Sequence, residues 1–208
     1  MSETASPGKI VILNGPPRSG KSSIAAEIQH TFKGVWMNLG VDHFMKMTPE
    51  RYQPGIGLRP GGERPELESL IVNMYQALYE SIALHSRLGF HVVVDVGHHD
   101  GYSVPRGILP KCIQILKGLP VFFVGVRCPI DVIMERRIDT WQVGYTSEGK
   151  VPEPVRFWQQ LVHKPGIYDL EVDTSLLSPK ECAALIGQRL ADGPPPIAFQ
   201  QIEEMETE

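Results

Sequence analysis

The chain has no block of like charge. Its 20 Lys and Arg residues stand against 24 Asp and Glu, a net charge of −4. No segment gathers the basic ones, so the electrostatic footprint of a nucleic-acid binder is missing. Cysteine is scarce: Cys112, Cys128 and Cys182 are odd in number, far apart and without Cys-x-x-Cys spacing. That excludes a disulfide framework and a zinc ribbon, and leaves three small buried hydrophobes. No apolar run approaches the roughly 18 residues of a membrane span, and the polar start from Met1 to Lys9 lacks the apolar stretch of a secretory signal. Neither a nucleic acid nor a membrane is therefore expected as a partner. Small molecules are, with cytoplasmic residence as the default.

What is present suffices for one domain. A chain of 208 residues, 42% apolar, hides roughly 70% of the surface its unfolded form exposes. Apolar runs rich in β-branched residues recur at 9–14, 35–40, 91–96, 121–126 and 168–173. They lack the alternation of a half-solvated sheet, which predicts five buried parallel strands covered on both faces by helices, an α/β fold. Leu67, Leu70, Ile71, Met74, Leu78 and Ile82 fall three or four apart and predict a long crossover helix that ends at Gly89. Ser178, Pro179 and Glu181 have the spacing of a capping box with proline in the first turn, and predict a last helix through Ala184, Leu185 and Leu190.

Two segments read as irregular and glycine- or proline-rich, and so as binding loops. The first, 48–65, carries Arg51, Arg59 and Arg64; the second, about 140–154, carries Trp141, Tyr145 and Lys150. From Asp192 onward three consecutive prolines and a run of glutamates predict a tail without structure, over 192–208.

The strongest signal is Gly15-Pro16-Pro17-Arg18-Ser19-Gly20-Lys21-Ser22, a full G-x-x-x-x-G-K-[ST] match. At ordinary residue frequencies a chance match in a chain this long is about 1%. The context supports it as well, since Ile10, Val11, Ile12 and Leu13 form the strand before it, and Ile24, Ala25, Ile28 and Phe32 form a helix stripe after it. The glycines let backbone N–H groups turn inward around phosphates, with the helix dipole behind them. Lys21 would reach the β- and γ-phosphates of ATP, and the Ser22 hydroxyl would ligate Mg²⁺, with Ser23 beside them.

Base-reading Asn-Lys-x-Asp and a suitably placed Asp-x-x-Gly are both missing, which argues against a signalling GTPase. A small-molecule kinase needs a base, a metal-side acid and arginines. Asp42, just past the second strand, is the candidate base, with capping of a short helix at 43–46 as its other reading. Asp95, closing the third strand, is the candidate second metal ligand. His98 and His99 read as solvated or substrate-side. Arg136, with Arg137, lies where a lid would begin, or on a solvated helix face; Arg18 and Arg127 are further candidates for nucleotide contact.

With these residues in place, the chain resembles the chloramphenicol phosphotransferases, P-loop enzymes that move the γ-phosphate of ATP onto the antibiotic's primary hydroxyl. The resemblance spans most of the chain. It rests on Ile12-Leu13-Asn14-Gly15 with the loop through Ser22, on Gly40-Val41-Asp42, on the strand ending in Asp95, on Val124-Gly125-Val126-Arg127-Cys128, on Arg136, and on 168–174. It implies a nucleoside-monophosphate-kinase-like P-loop NTPase fold, a three-layer sandwich forming one domain over 1–191, with a lid at about 136–155 and an acceptor loop at about 48–65. It also implies Asp42 as base, Lys21 and Ser22 on phosphate, and Arg136 in the lid. The chain departs from the family where the lid runs Thr140-Trp141-Gln142-Val143, and the 48–65 loop shows no close likeness. Transfer to a hydroxyl is thus better supported than chloramphenicol as the acceptor. Other readings are a kinase for another hydroxyl metabolite, like the shikimate and adenylylsulfate kinases, or a nucleotide-binding regulatory module.

Overall fold

A computed structural model describes residues 6–206. Five parallel strands, β1 (Ile10–Asn14), β2 (Trp36–Asn38), β3 (His91–Val96), β4 (Val121–Arg127) and β5 (Leu170–Asp173), form one sheet in the order β2-β3-β1-β4-β5. All five lie within the apolar runs or one residue beyond them. β1 is buried at every position, because its alternate residues face two different cores. Ile10 and Ile12 join Val92, Val94 and Phe123 on one side, and Val11 and Leu13 join Val93, Phe122 and Val124 on the other.

Helices cover both faces. α1 (Lys21–Thr31) and α7 (Pro179–Asp192) pack together on the second core. α3 (Glu68–Arg87) and α4 (Ile108–Ile115) close the first. α7 starts on the expected capping box: Ser178 Oγ accepts from the Glu181 N–H and the Glu181 carboxylate accepts from the Ser178 N–H. The buried stripe of α3 differs from expectation. It holds Ile71, Leu78 and Ile82, but also Glu68, Tyr75 and Tyr79, while Leu70 and Met74 are only partly covered. The tyrosines are buried because they reach the loop after β3, where Tyr79 Oη lies 2.6 Å from His98 Nε2.

Two segments are more ordered than their composition suggests. Within 48–65 the chain makes three short turns, Glu50–Tyr52, Gly55–Gly57 and Pro65–Leu67, and sets Ile56 and Leu58 into the first core. The tail predicted to be unstructured instead forms α8 (Ala198–Met205). The Asp169 carboxylate accepts from the N–H groups of Ile197 (2.7 Å) and Ala198 (3.0 Å) with one oxygen, and from the Phe123 N–H (2.9 Å) with the other. That clip fixes the start of α8 against β4, and Ala198 and Ile202 then bury in the first core. Composition missed it because two apolar residues one turn apart suffice once the helix start is pinned; Glu208 lies outside the described residues. Among the described residues no helix is long and apolar enough to cross a membrane.

Replacing Ile202 by Ala tests this packing. The loss of buried methyl groups is expected to lower stability by about 2–3 kcal/mol, read as a lower urea midpoint; an unchanged midpoint would show α8 undocked in solution.

Candidate active site

The parallel register aligns the carboxyl ends of three strands, with Leu13 beside Asp95 and Asn14 beside both Val96 and Gly125. The phosphate-type loop leaves β1 at this edge. Its start is tied to the end of β3 by the Gly15 N–H to Val96 O (3.2 Å), and its turn is closed by the Ser19 N–H to Pro16 O (3.2 Å). Arg18 (φ 68) and Gly20 (φ 88) both take the left-handed region, which curls the ribbon back onto the start of α1. The first N–H groups of a helix have no partner within it, so α1 opens toward the loop as an anion-seeking end. Lys21 Nζ reaches back across the ribbon and donates to Pro16 O (2.8 Å).

On the β3 side, Ser22 Oγ donates to Asp95 Oδ2 at 2.7 Å. Asp95 has room there because residue 40 is glycine: a Cβ at that position would stand 1.8 Å from Asp95 Oδ1. The same glycine ends β2 early. Its N–H bonds to Asn38 Oδ1 (3.1 Å), and α2 (Val41–Lys46) begins directly after it, with Gly40 rather than Asp42 at the cap position. Asp42 thus does not cap the short helix. It lies exposed in the first turn, without a hydrogen bond among the described residues, and its charge acts on both Lys21 and Arg18.

Burial lowers Lys21 to about 8, against the opposing pull of Asp95 and Asp42. A hydroxyl and a carboxylate 2.7 Å apart are oxygen donors of the kind a hard divalent cation takes, together with phosphate oxygens. Among the described residues no group of three His, Cys, Asp or Glu side chains forms a ligand cage, so a cation here would share its coordination with a bound phosphate.

The arginines divide. Arg136, on α5 (Ile130–Trp141), is fastened rather than free: it donates to Thr174 Oγ1 (3.0 Å), Thr174 O (2.7 Å) and Arg18 O (3.2 Å). Thr174 Oγ1 in turn donates to Ser19 O (2.8 Å). Arg136 therefore braces the outside of the loop against the end of β5. Arg127 is held by Glu171 at 2.7 and 3.1 Å. Arg18 and Arg137 both lie on the Trp141 ring, 3.9 and 5.1 Å from its centroid.

Several residues at this edge were not legible beforehand. Asn14 ties three pieces together. Its Nδ2 donates to Val162 O (2.8 Å) and Tyr168 Oη (2.9 Å), and its Oδ1 accepts from the His98 N–H (2.8 Å). His98 and His99 are buried, not solvated. Burial lowers His98 to about 3, so it stays neutral. His99 bonds Leu58 O through Nε2 (3.0 Å) and meets Trp158 of α6 (Glu153–Leu161) edge-on at 4.8 Å. The loop after β3 is further clamped by the fully buried Glu68, which accepts from the Ser103 N–H (2.7 Å), Ser103 Oγ (2.6 Å) and Arg106 Nη2 (2.8 Å). A lone Glu in an amphipathic stripe gives no sequence signal of this.

The Lys21 shift has a testable sign. A phosphate beside Nζ favours the charged form, so binding above about pH 8 must take up a proton. Affinity for a nucleoside triphosphate analogue is expected to fall as pH rises from 8 toward the ordinary lysine value. Calorimetry in buffers of different ionisation enthalpy should show proton uptake near pH 8.5 that disappears in Lys21→Met. Binding without proton exchange would contradict the shift.

A family model described as chloramphenicol phosphotransferase-like protein matches residues 8–191. A Mycobacterium tuberculosis protein, provisionally named an O-phosphotransferase in two strains, is 25% identical over 206 residues, covering 94% of this chain and 88% of the relative. Among solved structures, a sugar kinase from Janibacter superposes with TM-score 0.60 at 16% identity, covering 91% of this chain and 97% of that one. The Mycobacterium tuberculosis APS kinase in complex with AMPPNP and APS gives 0.56 at 18%, covering 88% and 98%. The fold is that of the P-loop kinases, and since the family match runs unbroken from before β1 to the end of α7, the chain belongs to the chloramphenicol phosphotransferase-like family and is a phosphotransferase.

Proposed function

We propose that the protein transfers the γ-phosphate of ATP to a hydroxyl of a small-molecule acceptor, with Asp42 as the general base. The observation that carries this reading is the placement of Asp42: an exposed, uncapped carboxylate whose charge reaches both the loop lysine and Arg18. A module that merely sensed nucleotide would have no use for a proton acceptor there.

In this mechanism residues 15–23 cradle the triphosphate: the backbone of Gly15, Pro16, Pro17, Arg18, Ser19 and Gly20, the Lys21 ammonium, and the hydroxyls of Ser22 and Ser23. Ser22 and Asp95 would hold Mg²⁺, which when bound neutralises phosphate charge. The acceptor enters between Asp42 and the 48–65 loop. Its oxygen attacks the γ-phosphorus, the bond from that phosphorus to the β,γ-bridging oxygen breaks, and the electron pair leaves with ADP. The hydroxyl proton passes to the Asp42 carboxylate. Arg136 acts as a positioning residue, keeping the loop curled through Arg18 O and Thr174. The segment from α5 through Trp141 covers the site and excludes water, which decides for transfer over hydrolysis.

The decisive experiment incubates the protein with MgATP and pooled hydroxyl compounds, chloramphenicol included, and reads by mass spectrometry which one gains a phosphate. Asp42→Asn is expected to lower kcat by about 10²–10⁴ while the Kd for AMPPNP stays close to wild type. Turnover that survives the substitution would remove Asp42 as base.

A further inference from the structure

Two guanidiniums from separate segments meet beside the phosphate loop, Arg18 from the loop itself and Arg137 from α5, and the charge of a third, Arg59 from the 48–65 segment, acts on Arg137. Arg18 and Arg137 share one face partner, the Trp141 indole, at 3.9 and 5.1 Å. Such contacts orient the planar forks without neutralising them. The Nε atoms of both are buried and have no hydrogen-bond partner among the described residues. Arg59 has an exposed Glu63 at 4.0 Å, a pairing worth little in water. Burial, then the charges of Arg59 and Arg18, hold Arg137 below its ordinary value, and burial holds Arg18 below its own against the opposing pull of Asp42. Arg18 also holds a left-handed backbone that a non-glycine residue adopts at a cost. Two like charges on one ring, each with an unpaired buried donor, offer an anion charge-assisted hydrogen bonds, the strong kind that arginine forms with carboxylate and phosphate.

In the proposed mechanism the triphosphate does not use all of this charge. Its outer phosphates would meet Lys21, the start of α1 and the Ser22–Asp95 pair, and a single arginine serves a moving phosphoryl group. Arg59, moreover, belongs to the acceptor side: its neighbour Leu58 is anchored in the core and receives His99.

We propose that Arg18, Arg59 and Arg137 seat a second anion, a carboxylate or phosphate group that the acceptor carries close to its reactive hydroxyl. The proposal deepens the phosphotransfer reading and rests on it. It makes the substrate an anionic alcohol, such as a hydroxy acid or a sugar phosphate, in place of a neutral one. Arg137, not Arg136, is then the α5 arginine that meets substrate.

The test separates this proposal from the reaction itself. Protein saturated with MgAMPPNP is titrated with inorganic phosphate, following the Trp141 emission as the difference between wild type and Trp141→Phe. Saturable, salt-sensitive binding is expected, weakened about tenfold or more by Arg59→Gln and by Arg137→Gln, as befits lost charge-assisted hydrogen bonds. Phosphate that fails to bind, or that binds Arg59→Gln as well as wild type, overturns the seat. In the acceptor screen, hydroxy acids and sugar phosphates are expected to take the phosphoryl group. Arg59→Gln should raise their KM far more than it lowers kcat. Transfer confined to neutral alcohols overturns the proposal while leaving the phosphotransfer reading intact. If MgAMPPNP binds and phosphate seats but no alcohol is ever phosphorylated, it is the phosphotransfer reading that falls.

Discussion

The site depends on the parallel pairing of β1 with β3, because that register brings the Ser22 hydroxyl within 2.7 Å of Asp95. Strands buried on both faces cannot slip by one residue without turning apolar side chains out of both cores at once. With Ile10, Val11, Ile12 and Leu13 fully buried against two helix layers, the position of Asp95 relative to the loop is fixed by hydrophobic burial, and the polar contact inherits that precision. Gly40 completes the constraint. By giving up a side chain it lets Asp95 approach, and α2 starts directly after it, so one residue sets the positions of both the candidate metal-side acid and the candidate base.

The polar groups around this edge are held in two different ways, and the difference sorts their roles. Asn14, His98, Glu68 and Arg136 each make several hydrogen bonds to fixed backbone or to each other's supports. Moving any of them would leave buried donors or acceptors without partners, which is costly in a low-dielectric interior. They are framework. Lys21 has a single hydrogen bond, to Pro16 O, and among the described residues the side chains of Asp42, Arg18 and Arg137 have none, so their charge is incompletely balanced. Such groups do not stabilise the empty protein; they store interaction energy that a ligand of the right charge can claim.

The same distinction explains what the sequence made legible. Strand positions, α7 with its capping box, the loop from Gly15 to Ser22 and the end position of Asp95 follow from local rules of burial, capping and backbone freedom, and these local rules held. α8 did not follow, because its cause is Asp169, some 28 residues earlier, accepting the helix's first N–H groups. The burial of His98 was equally hidden, since it depends on Tyr79 reaching it from across the layer. The clamp at Glu68 has the same character: a charged residue in the first turn of a helix reads as solvated until Ser103 and Arg106 meet it. Long-range polar satisfaction leaves no periodic trace.

Arg136 and Arg137 show how far adjacency misleads. Neighbouring residues on a helix point about 100° apart, so two arginines in succession cannot do the same work. The first falls on the face toward Thr174 and the loop, where its Nη1 and Nη2 make four hydrogen bonds, to Arg18 O, Cys128 Sγ, Thr174 Oγ1 and Thr174 O. The second falls on the Trp141 face, and its buried Nε has no partner among the described residues. Because the brace holds α5 against the loop, it also fixes where the second fork must stand. A substrate anion would therefore meet a charge positioned by its neighbour, and the stiffness of Arg136 is what makes the position of Arg137 specific.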